Sequence, residues 1–153
     1  MAAESPFSHI LVPVDGSDAS IHAGLVAMRI ASNHNIPITF VYVVDRAVVE
    51  RIAATSTLCD DEVCSELEEK AQRYLDYLTL QAQHKGIKTD QVMRRGIPHS
   101  EITSLAQELK VDLIAIGQGS RSGPRRSLIG SVAARVVEYA PCPVLVVKSP
   151  TGR

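Results

Sequence analysis

The sequence predicts an α/β domain: a five-stranded, largely parallel sheet with helices packed on both faces. Three observations carry that prediction. Apolar periodicity switches repeatedly between two and 3.6 residues, as it does in successive βα units. The candidate strands HILVPV, ITFVYVV and VDLIAIG are nearly continuous apolar runs rather than alternating ones, which suits strands covered on both faces. The chain has 153 residues, enough for one domain and too few for two. The expectation is one domain over residues 1–153, with its core from about 7 to 148.

Each element follows in order. His9 to Val14 is the first strand, broken by Asp15-Gly16-Ser17. Ser17 or Asp18 can cap a helix running to about Asn33, with Ile21, Leu25, Met28 and Ala31 as its core-facing stripe. Ile38 to Val44 is the second strand. Asp45 to Cys59 has no clean period and reads as a loop with a frayed start to the next helix. That long helix opens at Asp60 or Asp61, carries acids in its first turn, and runs to His84, stopped by Gly86. Ile87 to Arg95 is a more polar third strand, suited to a sheet edge. Gly96-Ile97-Pro98 turns the chain into a helix from about His99 to Lys110. Val111 to Gly117 is the fourth strand and the most apolar. A loop rich in glycine and arginine leads to a helix from about Ser127 to Tyr139. Pro141-Cys142-Pro143 ends it, and Val144 to Lys148 is the last strand. There is no internal repeat or linker.

Composition excludes several classes of function. Net charge is −1, which gives no overall field favouring nucleic acid or anionic lipid. Aromatic residues make up only 4%, with no Trp, too few for a base-stacking platform. No apolar run approaches the ~20 residues of a membrane helix. No secretion signal is evident in MAAESPFSH. Cys59, Cys64 and Cys142 are odd in number and read as reduced thiols, with Cys142 a small core residue. The expected location is the cytoplasm. A chain of this length buries roughly 70% of its unfolded surface and needs neither metal nor disulfide to fold.

Right-handed crossovers force an open parallel sheet to reverse its winding, and the reversal leaves a crevice at the carboxyl ends of two strands. Two loops carry residues a plain connection would not need. One is Asp15-Gly16-Ser17. The other runs from Gly117 through Gln118, Gly119, Ser120, Arg121, Gly123, Arg125 and Arg126 to Ser127. If strands one and four are neighbours, both loops face one crevice. Glycines in the second loop let backbone approach an anion, and the N–H groups at the following helix start can meet it. Gly130-Ser131 adds a backbone donor and a hydroxyl. A surface loop whose arginines meet only water explains the same composition equally well. Asp15 has two readings as well, a helix cap or a contact to a ribose hydroxyl or hydrated cation.

At this point the residues resemble the universal stress protein family over nearly the whole chain. ILVPVDGS, YVVD, GIPHSEI and above all IGQGSRSGPRRSLIGSVAARVVEYAPCPVLVVK carry the likeness. The resemblance implies the strand order 3-2-1-4-5 and a homodimer through Val144 to Lys148. It also implies an adenine nucleotide, ATP or AMP, with magnesium possible at Asp15. The family motif is Gly, two residues, Gly, nine residues, then Gly and Ser or Thr. Gly117, Gly130 and Ser131 match it, but Ser120 stands where the middle glycine belongs, with Gly119 one residue early. By resemblance, Asp15 meets the ribose or adenine region and the Val43 backbone recognises the adenine edge. Val14, beside Pro13, and Ile116 sandwich the base. Gly117, Gly130, Ser131 and Val132 hold phosphates, with Gly119, Ser120 and Arg121 in the adjoining loop.

No catalytic set stands out. His9, His22, His34, His84 and His99 lack metal-ligand spacing, and no P-loop lysine or Gly-x-Ser-x-Gly elbow is present. The expected function is a stress-response regulator that senses or adapts through nucleotide, without turnover beyond very slow hydrolysis. The alternative is a nucleotide-independent dimeric interaction protein acting on an unidentified regulated protein.

Overall fold

The computed structural model describes residues 5–119 and 129–148. Its strands are β1 (Ile10–Val14), β2 (Ile38–Asp45), β3 (Thr89–Gly96), β4 (Leu113–Gly117) and β5 (Val144–Val147). Its helices are α1 (Asp18–Ser32), α2 (Arg46–Ala54), α3 (Asp60–His84), α4 (Pro98–Leu109) and α5 (Ser131–Tyr139). All strand pairings are parallel, in the order β3-β2-β1-β4-β5. The order reverses between β1 and β4, the switch point of a doubly wound sheet.

Side-chain alternation along the strands builds two core layers. Ile10, Val12, Val14, Ile38, Phe40, Leu113 and Ala115 pack against Ala27, Met28 and Ala31 of α1 and Leu75, Leu78 and Ala82 of α3. Leu11, Val41, Ile114 and Ile116 face the other way, onto Ile102, Leu105 and Ala106 of α4 and Ala133 and Val136 of α5. All five residues of β1 and of β4 are buried, which is why both read as uninterrupted apolar runs. β3 lies at an edge and is only partly covered, in keeping with its polar sequence.

Four local expectations change. The segment after β2 is not a loop: Arg46–Ala54 is helical, capped by the Asp45 side chain, which accepts from the Ala47 N–H at 3.0 Å. α2 buries only Val49 fully, so its stripe is too narrow to register as a period. The last helix starts at Ser131, with Gly130 as its N-cap, rather than near Ser127; residues 120–128 lie outside the described residues. In α1 the buried stripe is Ala19, Ala23, Ala27, Met28 and Ala31, while Ile21 and Leu25 are half-buried beside it. Small residues take the centre because α1 packs close to the sheet. Cys142 likewise flanks its core layer half-buried instead of sitting inside it.

Candidate functional site

The two central strands part early. β1 and β4 pair only at Ile10↔Leu113 and Leu11↔Ile114, whereas β1 pairs with β2 as far as Val14↔Tyr42. Beyond Leu11 and Ile114 they diverge toward their carboxyl ends and open a crevice of about 420 Å³, within the ~300–1,000 Å³ of small-ligand pockets. Pro13, Val14 and Asp15 line it from β1, Val43 from β2, and Ile116, Gly117 and Gly119 from β4 and its exit. Gly130, Ser131 and Val132 close it from the start of α5. The sequence-predicted residues within the described chain thus converge on one cavity. Ser120 and Arg121, with Arg125, Arg126 and Ser127, lie outside the described residues.

The walls divide by chemistry. Val14, Val43, Ile116 and Val132 give flat aliphatic surface, joined by Val41, Val48, Leu67 and Ile102. By the alternation of the β1–β2 ladder the Val43 N–H is directed to the Val14 carbonyl, and β1 ends before any residue meets the Val43 carbonyl. Val48 belongs to α2 and escaped sequence reasoning because residues 45–59 read as a loop, while Leu67 lies on the correctly placed α3 with no motif to mark it as a wall of the crevice. Tyr42 was missed too, since its place on β2 carried no motif. Burial first, then the Asp15 carboxylate and Tyr74, push the Tyr42 hydroxyl above its ordinary pKa, keeping it a neutral phenol at the crevice wall.

Asp15 is not the cap of α1. That role falls to Ser17, whose Oγ accepts from the Ser20 N–H at 3.1 Å. The Asp15 Oδ1 accepts from the Ser17 N–H at 2.8 Å, and the Asp15 N–H donates to Ser20 Oγ at 3.2 Å. This turn holds the carboxylate, still exposed, at the crevice mouth.

The glycines each answer a different constraint. A Cβ on Gly117 would lie 2.7–2.9 Å from backbone atoms of Ala19 and Ser20, so this glycine lets β4 meet the first turn of α1. Gly119 has φ +116, a conformation that disfavours L side chains, and its missing Cβ would lie 3.1 Å from the Gly130 Cα. Gly130 donates its N–H to the Gln118 carbonyl at 2.7 Å. That N–H is therefore committed within the protein. The Gly130 carbonyl accepts the Ala134 N–H at 2.9 Å, and no side chain caps α5. The N–H groups of Ser131, Val132 and Ala133, all in the crevice wall, precede that first intrahelical bond and form an anion-receptive turn.

His99 does not line this crevice. It stacks on Tyr139, with ring centroids 6.1 Å apart, and lines an adjoining groove. No cluster of three His, Cys, Asp or Glu able to hold a metal occurs among the described residues. Nor is any helix among them long and apolar enough to cross a membrane.

Fold and crevice together define a doubly wound α/β domain with a small-ligand pocket at its switch point. The universal stress protein family profile matches residues 6–148, and the chain belongs to that family. It is 38% identical over 148 residues to universal stress protein MJ0531 of Methanocaldococcus jannaschii, covering 96% of this chain and 85% of that one. Among solved structures, MJ0577 of the same organism superposes with a TM-score of 0.80 at 26% identity, covering 92% of this chain and 95% of that chain. UspA from Lactobacillus plantarum superposes with a TM-score of 0.73 at 30% identity, covering 95% and 99%.

Proposed function

We propose that this protein is a stress-response regulator that binds an adenine nucleotide in the crevice between β1 and β4. The observation that carries the reading is the pairing of an aliphatic slot with an uncapped helix start in one cavity. Val14 and Ile116 present flat apolar surface for a base, and the Val43 carbonyl, beyond the end of β1, offers an acceptor to its edge. Asp15 suits a ribose hydroxyl, and the N–H groups of Ser131 and Val132, with the Ser131 hydroxyl, suit phosphate. Gly117 lets β4 close onto the first turn of α1, and Gly119 and Gly130 pack on each other, which together fix the helix start beside the crevice. Ser120 and Arg121 extend the proposed site beyond the described residues. Magnesium enters only with the phosphates, through the Asp15 carboxylate.

Chains of this fold that are 23%, 24% and 19% identical to this one have been solved with cAMP, dAMP and AMP respectively. At that identity the likeness concerns the fold, and the assignment stands on the crevice. Calorimetric titration with ATP, ADP and AMP, with and without magnesium, tests it. Saturable binding near one nucleotide per chain is expected. Absence of heat with all three, from folded protein, would refute it.

The proposed role is sensing rather than turnover. Phosphoryl transfer needs a group that orients the attacking water. Asp15 already accepts from Ser17, and His99 is stacked on Tyr139 in the neighbouring groove. Single-turnover hydrolysis with protein in excess should be slower than ~10⁻³ s⁻¹, the range of an unassisted GTPase. Turnover near one per second, lost on changing Asp15 or His99, would make the protein an enzyme.

A second reading, a dimeric interaction protein that works without nucleotide, draws on β5. This strand ends the sheet and pairs only with β4. The carbonyls of Pro143 and Val147 accept from Ile114 and Gln118 of the β4 side, so by alternation the backbone groups of Val144 and Val146 point to the free edge. Antiparallel pairing with a second copy through Val144 to Lys148 would satisfy them symmetrically. Nucleotide retained through gentle purification would favour the first reading over the second.

A further inference from the structure

We propose that the groove between the starts of α2, α4 and α5 receives the outer phosphates of the ligand. Through Arg46 and Arg135 it selects an adenosine triphosphate over AMP. The inference rests on the nucleotide reading above and deepens it.

The groove measures about 490 Å³ and is continuous with the crevice, since Asp45, Pro98, Ser131 and Val132 line both. A phosphate chain leaving the α5 start therefore has an open path into it. Arg135 lies four residues after Ser131, on the same face of α5 and one turn further along. Arg46 opens α2 and lines the same groove.

Both arginines line the groove with no acid paired to them among the described residues. Arg94 pairs with Glu101 and Glu108, and Arg95 pairs with Glu68. Arg46 and Arg135 form no ion pair among the described residues, though both line a concave wall. Two acids share the groove. Asp45 is engaged as the α2 cap, and Glu50 lies one turn along α2 from Arg46. Guanidinium forks match phosphate oxygens bidentately, which a lone helix start cannot do. A single phosphate held at Ser131 and Val132 ends where the groove begins, so only a longer chain reaches the arginines.

The test is calorimetric titration of AMP, ADP and ATP into the unmodified protein and into Arg46→Gln, Arg135→Gln and the double variant. The unmodified protein should bind ATP at least about tenfold tighter than AMP, a difference of about 1.4 kcal/mol. The double variant should lose about that factor for ATP, keep AMP within twofold, and show a shallower salt dependence for ATP. Unchanged AMP binding also reports that the variant is folded. Equal affinity for AMP and ATP in the unmodified protein would overturn the inference alone, as would equal losses for both nucleotides in the variant. Failure of all three nucleotides to bind would overturn the nucleotide reading and this inference with it.

Discussion

Replacing Gly117 by alanine separates a packing requirement from a ligand requirement. The added Cβ would lie 2.7 Å from the Ala19 carbonyl carbon, 2.8 Å from the Ser20 nitrogen and 2.9 Å from the Ala19 oxygen. All three are backbone atoms in the first turn of α1, so no side chain can rotate away. Either α1 or the end of β4 must shift. Overpacking costs about 1–3 kcal/mol, and the rigidity of these neighbours places Gly117→Ala near 3 kcal/mol. For a chain of this size that lowers Tm by about 6–12 °C. Gly86→Ala is the natural comparison: Gly86 has φ +73 and nothing within 4 Å of a Cβ, so it carries only the left-handed cost of about 1–2 kcal/mol. Urea melts of both variants give the answer. Because Ser17 and Ser20 of the same turn line the crevice, ATP affinity should fall together with stability in Gly117→Ala. Stability within about 0.5 kcal/mol of the unmodified protein, or a smaller loss than in Gly86→Ala, would refute the close-approach account.

Gly130→Val should abolish nucleotide binding by calorimetry, because its side chain would press on the Gln118 carbonyl and Gly119 Cα, 3.1 and 3.3 Å from the Cβ. Val146→Pro should leave the β4 ladder intact, since the Val146 N–H points to the free edge, and should convert a dimer to monomer or aggregate in sedimentation. A monomer for the unmodified protein would count against the dimer. Partial burial works to raise the Asp112 carboxyl, but donors from the His9 and Ser8 backbone and the Ser8 hydroxyl outweigh it and hold it below its ordinary range. A depressed folded pKa stabilises above the unfolded value of about 3.9 and is lost as pH falls through the folded one. Asp112→Asn should therefore cost about 1 kcal/mol or less at pH 7, given solvent screening, and the difference should shrink in urea melts as pH falls below the unfolded value.

The sheet was legible because β1, β2 and β4 are buried on both faces and so read as unbroken apolar runs. The crevice-lining residues Asp15, Gly117, Gly130 and Ser131 stood out because each breaks such a run or begins the helix after it. α2 was not. Its single fully buried residue, Val49, gives no period, and its start is marked only by the Asp45 cap. Missing α2 hid Val48 as a wall of the crevice and Arg46 as a wall of the groove. Tyr42 was hidden differently. It lies in a strand that sequence identified correctly, yet its neighbours Asp15 and Tyr74 come from distant parts of the chain. Gly117 showed the reverse limit: its position was clear, but the approach of α1 that demands a glycine exists only in three dimensions.

The bond from the Gly130 N–H to the Gln118 carbonyl, with Gly119 packed against Gly130, fastens together the two ends of the connection between β4 and α5. Whatever the sequence between those anchors, the helix start is presented to the crevice at the same place. Ser120 follows the first anchor in sequence and is no part of the bond that joins the two. The start of α5 is thus set by two anchors that lock onto each other at the end of the sheet, as a clasp sets the end of a strap.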